Sequence, residues 1–160
     1  IFMRAILKAY GITDRTVWFA DSFAGFPPPD RIRYPEDARI TFPRVEEIAV
    51  SLEEVQDNVA RYGLLDGQVR FLKGYFKDTL PRAPIGKLAL IRLDADLYES
   101  TMQALDALYP KLSAGGYLIV DDFNTYDVCR RAVLDYREAH GIDDVLVEID
   151  EDAVYWRRSR

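Results

Sequence analysis

Cysteine and histidine are nearly absent, with one of each in 160 residues. The lone thiol, Cys129, has no partner for an internal disulfide and fits a reducing compartment. With only His140 beside it, a zinc site is not expected. Long apolar runs are also missing. None reaches the roughly 18 residues that span a bilayer, and the opening residues do not read as a signal peptide. No membrane partner is expected, and the expected location is cytoplasmic. Positive charge is in deficit, with 21 Lys and Arg against 27 Asp and Glu and a net charge of -6. That argues against a broad phosphate-binding surface, so nucleic acid is not an expected partner.

What is present is ordinary for a globular chain: 49% hydrophobic and 30% charged residues. The length suits a single domain, 1–160, with a sizeable core. The chain opens as "IFMRAILKAYG", without an initiator methionine and already in helical rhythm. Phe2, Ile6 and Ala9 are expected to share one face, and Gly11 to cap the end. A helix from residue one leads us to expect that an upstream segment is missing.

Apolar runs then alternate with amphipathic stretches. "TVWFADSF" reads as a strand ending near Asp21. The stretch "GFPPPDRIRYPEDARITFP" is rich in proline and charge and reads as a long surface loop, of the kind that forms lids or binding loops. "SLEEVQDNVARYGL" is a helix with Ser51 and Glu54 as a capping box. "QVRFLKGYF" and "KLALIRLD" are strands, "STMQALDALYPKL" a helix, and "GGYLIVDDF" a strand. "TYDVCRRAVLDYREAHG" is a helix, and "VLVEID" and "AVYWRR" form an antiparallel pair around an acidic turn. The alternation implies an α/β domain with a mostly parallel sheet.

Ligands of open α/β sheets bind outside the C-terminal strand ends. Asp21, the Gly74–Phe76 loop, Asp94 with Asp96, and Asp121 with Asp122 all fall at such ends. Asp94 and Asp96 share a side if the strand persists, and Asp121 and Asp122 can act together only if the chain turns at Asp122. Neighbouring strands lie about 4.8 Å apart, so carboxylates of both can meet around one ion. Clustered carboxylates repel unless protonated or bridged by a cation. All-oxygen ligands suit Mg²⁺, Ca²⁺ or Mn²⁺. A single strand-end aspartate is better read as a helix cap, but two pairs on adjacent strands favour a metal site.

The stretches "VWFADSFAGFPPPD", "KGYFKDTLP", "RLDADLYEST" and "GGYLIVDDF" together resemble the macrocin O-methyltransferase family, which methylates sugar hydroxyls of antibiotics with S-adenosylmethionine. The resemblance covers nearly the whole chain. It implies a Rossmann-like class I methyltransferase fold, a requirement for Mg²⁺, a small-molecule glycoside substrate (macrolide or aminocoumarin-like) and a homo-oligomer. By position it implies that Asp94, Asp121 and Asp122 hold the metal and that Asp96 is the general base. Asp21 and Ser22 would sit by the ribose and adenosine of the cofactor, and Gly74, Tyr75 and Phe76 by the adenine. Ser51 is a weaker candidate, because its capping role already accounts for it. The proline-rich loop, with Tyr34 and Phe42, would cover the sugar. The chain departs from the family pattern at its start: the first strand and its glycine-rich turn, which contact the methionine moiety, would lie before residue 1.

Two rival readings stand beside it. "LIRLDADLY" also resembles the Asp-x-Asp motif of haloacid-dehalogenase-type phosphatases, but Tyr98 replaces the expected Thr or Val, and the second acidic pair follows after only one helix. A non-catalytic fragment is the other, suggested by the missing first strand. Arg92, inside an apolar strand, is expected to pair with an acid that the sequence does not name.

Overall fold

The computed structural model describes residues 1–28, 30–40 and 49–159. Phe42 therefore lies outside the described residues. The chain divides into two compact units, Ile1–Pro27 with Thr41–Thr79, and Pro28–Ile40 with Leu80–Arg160.

The first unit begins with helix α1, Phe2–Ala9. Its expected apolar face does not pack: Phe2 is 76% exposed and Ile6 39%. The buried residue is Arg4, whose guanidinium is paired with Asp66. The long arginine stem supplies apolar contact while its head meets a carboxylate, so the amphipathic pattern named the wrong face. Helix α2, Leu52–Arg61, starts as expected, with Ser51 Oγ accepting from Glu54 N at 3.1 Å. Its Val59 is fully buried and packs with Leu64 and Val69. Strands β1, Val17–Asp21, and β2, Val69–Lys73, pair in parallel, with Phe19 opposite Phe71 and their rings 5.2 Å apart. A short helix α3, Phe76–Thr79, follows β2.

The second unit holds a four-stranded sheet in the order β3-β4-β6-β5. Its strands are β3, Leu88–Leu93, β4, Leu112–Val120, β5, Val147–Glu148, and β6, Val154–Arg157. β3 and β4 run parallel, whereas β6 is antiparallel to both β4 and β5. This sheet is thus mixed rather than purely parallel, its antiparallel pairings lying at the C-terminal strands. The expected antiparallel pair at the end of the chain is present. Helices α4, Tyr98–Leu108, and α5, Asp127–Ala139, cross between the strands and bury Leu105, Cys129, Val133 and Tyr136. Trp156 of β6 is fully buried, 6.1 Å from the Tyr109 ring.

β4 begins at Leu112, three residues before the glycines that were expected to open it. The register with β3 slips between Leu88 and Leu90. Gly116 sits at that slip, where a Cβ would lie 2.9 Å from the Ala89 carbonyl oxygen and 2.8 Å from Leu112 Cδ1. Only a residue without a side chain lets the two backbones approach this closely.

Candidate active site

In the "LIRLDADLYEST" segment burial alternates from Leu90 to Tyr98. Ile91, Leu93, Ala95 and Leu97 are buried, while Arg92 and Asp94 face outward. The regular strand stops at Leu93, so the strand rule alone does not place Asp96. Asp96 instead has φ +56 and sits in a three-residue turn closed by Leu97 N donating to Ala95 O at 2.5 Å. A non-glycine residue in the left-handed region costs on the order of 1–3 kcal/mol and is retained where the surroundings over-determine it.

β4 ends at Val120, and the chain turns from Asp121 onward. That is the condition under which both Asp121 and Asp122 can serve one site. Asp121 N donates to Leu93 O at 2.9 Å, which ties the two strand ends together. The turn between β5 and β6 braces the same loop. Asn124 N donates to Asp152 O at 2.9 Å, and Thr125 Oγ1 to Asp152 Oδ1 at 2.8 Å.

Each of Asp94, Asp121 and Asp122 offers one carboxylate oxygen, and these oxygens lie within 4.8 Å of one another. Asp122 Oδ2 is buried without a hydrogen-bond donor. Burial pushes the Asp122 carboxyl up to about 8, and the facing Asp96 carboxyl adds to the push, followed by Asp94 and Asp121. Asp96 is also raised, first by burial and then by Asp94 and Asp121, while its hydrogen bond with Asp122 opposes the rise. The two carboxyls therefore compete for one proton. An oxygen-rich, negatively charged cluster of this kind can be relieved by protonation or by a hard cation. Arg92 has found its partners: its Nη1 lies 2.8 Å from Asp94 Oδ2 and its Nη2 2.5 Å from Asp121 Oδ2.

Sequence reasoning missed Asp37. This residue is 3% exposed, in a 3₁₀ turn spanning Pro35–Arg39. Its two carboxylate oxygens accept from Tyr98 N at 2.8 Å and Glu99 N at 3.0 Å. It caps α4, whose own preceding residue, Leu97, has no side chain for that task. The Tyr34 ring lies 6.3 Å from that of Tyr98, and Glu36 pairs with Arg131 at 3.7 Å. Part of the proline-rich stretch is thus docked on the helix after the acidic motif. No local signal marks this, because cap and helix are 61 residues apart.

The expected cofactor residues belong to the first unit. Gly74 N donates to Asp21 O at 2.9 Å, so the ends of β1 and β2 adjoin. Asp21 Oδ1 accepts from Phe23 N at 2.6 Å, and Ser22 Oγ donates to Gly25 O at 2.5 Å. These bonds hold Phe23 at φ +52. Gly74 has φ +136, and a Cβ there would meet Thr79 Cγ2 at 2.7 Å, so glycine is needed for the turn itself. Tyr75 and Phe76 follow, both half-buried, with Tyr75 O accepting from Thr79 N at 3.1 Å.

Comparison with known proteins converges on one family. The family described as Macrocin-O-methyltransferase (TylF) matches residues 1–158. The chain is 53% identical over 162 residues to the mycinamicin III 3''-O-methyltransferase of Micromonospora griseorubida, covering 99% of this chain and 63% of that protein. It is also 53% identical to the demethyldecarbamoylnovobiocin O-methyltransferase of Streptomyces niveus, covering 100% of this chain and 62% of that protein. The solved structure of the O-methyltransferase NovP superposes with a TM-score of 0.95 at 53% identity, over 99% of this chain and 66% of that one. The calicheamicin methyltransferase CalS11 shares the fold at a TM-score of 0.68 and 21% identity, over 97% of this chain and 65% of that one. The fold is thus the α/β methyltransferase fold of these neighbours. The chain spans 61 to 63% of the length of the curated relatives it matches. On this evidence of sequence and fold, the chain belongs to the macrocin O-methyltransferase family.

Proposed function

We propose that this chain is part of an S-adenosylmethionine-dependent, Mg²⁺-assisted O-methyltransferase acting on a sugar hydroxyl of a natural-product glycoside. The whole, 1–160, belongs to one methyltransferase domain in this reading, working in the cytoplasm as a homo-oligomer without nucleic-acid partners. Among the described residues no helix is long and apolar enough to cross a membrane. The observation that carries the proposal is the meeting of Asp94, Asp121 and Asp122 within 4.8 Å, beside Asp96, in a chain of this family.

The cluster fits a hard divalent cation on two counts. Its donors are all carboxylate oxygens, and Asp122 Oδ2 is buried with no donor of its own. Asp94, Asp121 and Asp122 would hold the ion, which as a Lewis acid would lower the pKa of the acceptor hydroxyl. Asp96 accepts the hydroxyl proton on its carboxylate as the methyl group is transferred. Its raised pKa brings it nearer the operating pH, as suits a general base. The strained turn at Asp96 fixes the carboxyl in place, so positioning contributes to the rate. In the first unit, Asp21 and Ser22 are assigned to the ribose and adenosine of the methyl donor, and Gly74, Tyr75 and Phe76 to its adenine.

The phosphatase alternative has no support among these relatives, which are O-methyltransferases. The deciding experiment is a methyl-transfer assay on glycosides with added Mg²⁺, using the chain extended to the length of its relatives. Asp96→Asn should lower kcat at least 100-fold, the lower range for losing a general base. Full activity in that variant, or activity indifferent to a chelator, would remove the corresponding part of the proposal.

A further inference from the structure

Arg92 touches two of the three carboxylates assigned to the cation, and no part of the proposed chemistry uses it. It lies on β3, one residue before the strand ends and two before Asp94. Strand alternation puts it on the same side as Asp94. The neighbouring strand brings Asp121 within reach, since Leu93 pairs with Val120 and Asp121 N bonds back to Leu93 O. The guanidinium then spans the gap between strands, with Nη1 on Asp94 Oδ2 at 2.8 Å and Nη2 on Asp121 Oδ2 at 2.5 Å.

A guanidinium is planar and rigid, so two bonds from one fork set the separation and tilt of the groups they hold. A lysine ammonium is a single point on a flexible stem and cannot do this. Each carboxylate gives Arg92 only its Oδ2, which leaves Oδ1 of both residues for another partner.

We propose that Arg92 is a positioning residue for the cation site, whose fork sets the spacing of Asp94 and Asp121 across the two strand ends. This inference rests on the reading of Asp94, Asp121 and Asp122 as cation ligands. The partners that orient metal ligands typically change affinity about 10- to 100-fold when removed.

Binding of Mn²⁺, followed by loss of the free ion's electron-spin-resonance signal, and of Mg²⁺, followed by calorimetry, tests it without any assay of activity. The wild-type chain should bind both ions. Arg92→Gln should bind each about 10- to 100-fold more weakly, with circular dichroism and melting temperature near wild type. Arg92→Lys keeps the charge but not the fork and should fall nearly as far; it carries the test alone if the glutamine variant does not fold. Affinity unchanged or tightened in Arg92→Gln would make Arg92 a bystander or a competitor for the carboxylates and would overturn the inference. Full affinity in Arg92→Lys beside a weakened Arg92→Gln would also overturn it, since charge rather than geometry would then be at work. A wild-type chain that binds neither ion would sink the cation reading itself, and that arm identifies the failure before any variant is compared.

Discussion

Burial and three neighbouring carboxyls hold Asp122 at about 8, against roughly 3.9 for a free aspartate. The folded chain therefore keeps a proton that the unfolded chain gives up. In chelator, the stability linked to this proton is fully present below pH ~4 and is lost as pH rises through about 8. A cation reverses the preference, because ligands must be ionised to bind it. Mg²⁺ affinity should rise from pH 6 to about pH 8 and level off above, with a proton released on binding. Calorimetry in buffers of different ionisation enthalpy would read that release, and a pH-independent affinity would contradict the shift. Cys129 is the opposite case, a group with no work to do. It is 1% exposed, and burial pushes its thiol up to about 12. A thiol reagent at pH 8 should leave it unmodified until the chain unfolds, and prompt reaction in the native state would show the site to be open.

At the scale of elements, the proline-rich stretch departs furthest from its reading as a surface loop. Pro35–Arg39 form a 3₁₀ turn whose Asp37 caps α4 with a buried, doubly bonded carboxylate. Asp37→Ala would strand the first amides of α4 and remove two charge-assisted bonds. A loss of about 2–4 kcal/mol is expected on denaturation, together with faster amide exchange at Tyr98 and Glu99. A loss under ~0.5 kcal/mol would show that water replaces the cap. Gly116 is the equivalent constraint between strands. Gly116→Ala would press a methyl against the Ala89 carbonyl and Leu112, for a cost of about 1–3 kcal/mol. The importance of both residues comes from what lies opposite them, which local pattern does not encode.

For the whole molecule, each unit carries its own centre. Trp156 is fully buried in the second, between Tyr109 at 6.1 Å and the Arg137 guanidinium at 4.9 Å. Trp156→Ala should cost about 3–5 kcal/mol, and a smaller loss would mean that the core collapses around the gap. In the first unit Val59, Leu64 and Val69 form the centre, flanked by the Arg4–Asp66 pair. Cation binding at Asp94, Asp121 and Asp122 should add stability of RT ln(1 + [Mg²⁺]/Kd). Amide protection induced by Mg²⁺ is therefore expected around the ends of β3 and β4.

Much of this was legible in residue order. Apolar runs, caps and turns marked the strands and helices, because those signals act within a few residues of one another. The "LDADL" and "IVDD" pairs marked the acidic site, because like charges at buried strand ends call for a counter-charge. Four motifs together marked the family. What only the tertiary structure decided involves partners far apart in the chain: Arg92 lying across Asp94 and Asp121, Asp37 capping a helix 61 residues away, and Arg4 rather than Phe2 turning inward. Local sequence determines which elements form. Which charges find partners depends on elements meeting in space, and for Arg4 and Asp37, both buried, a missing partner would be costly.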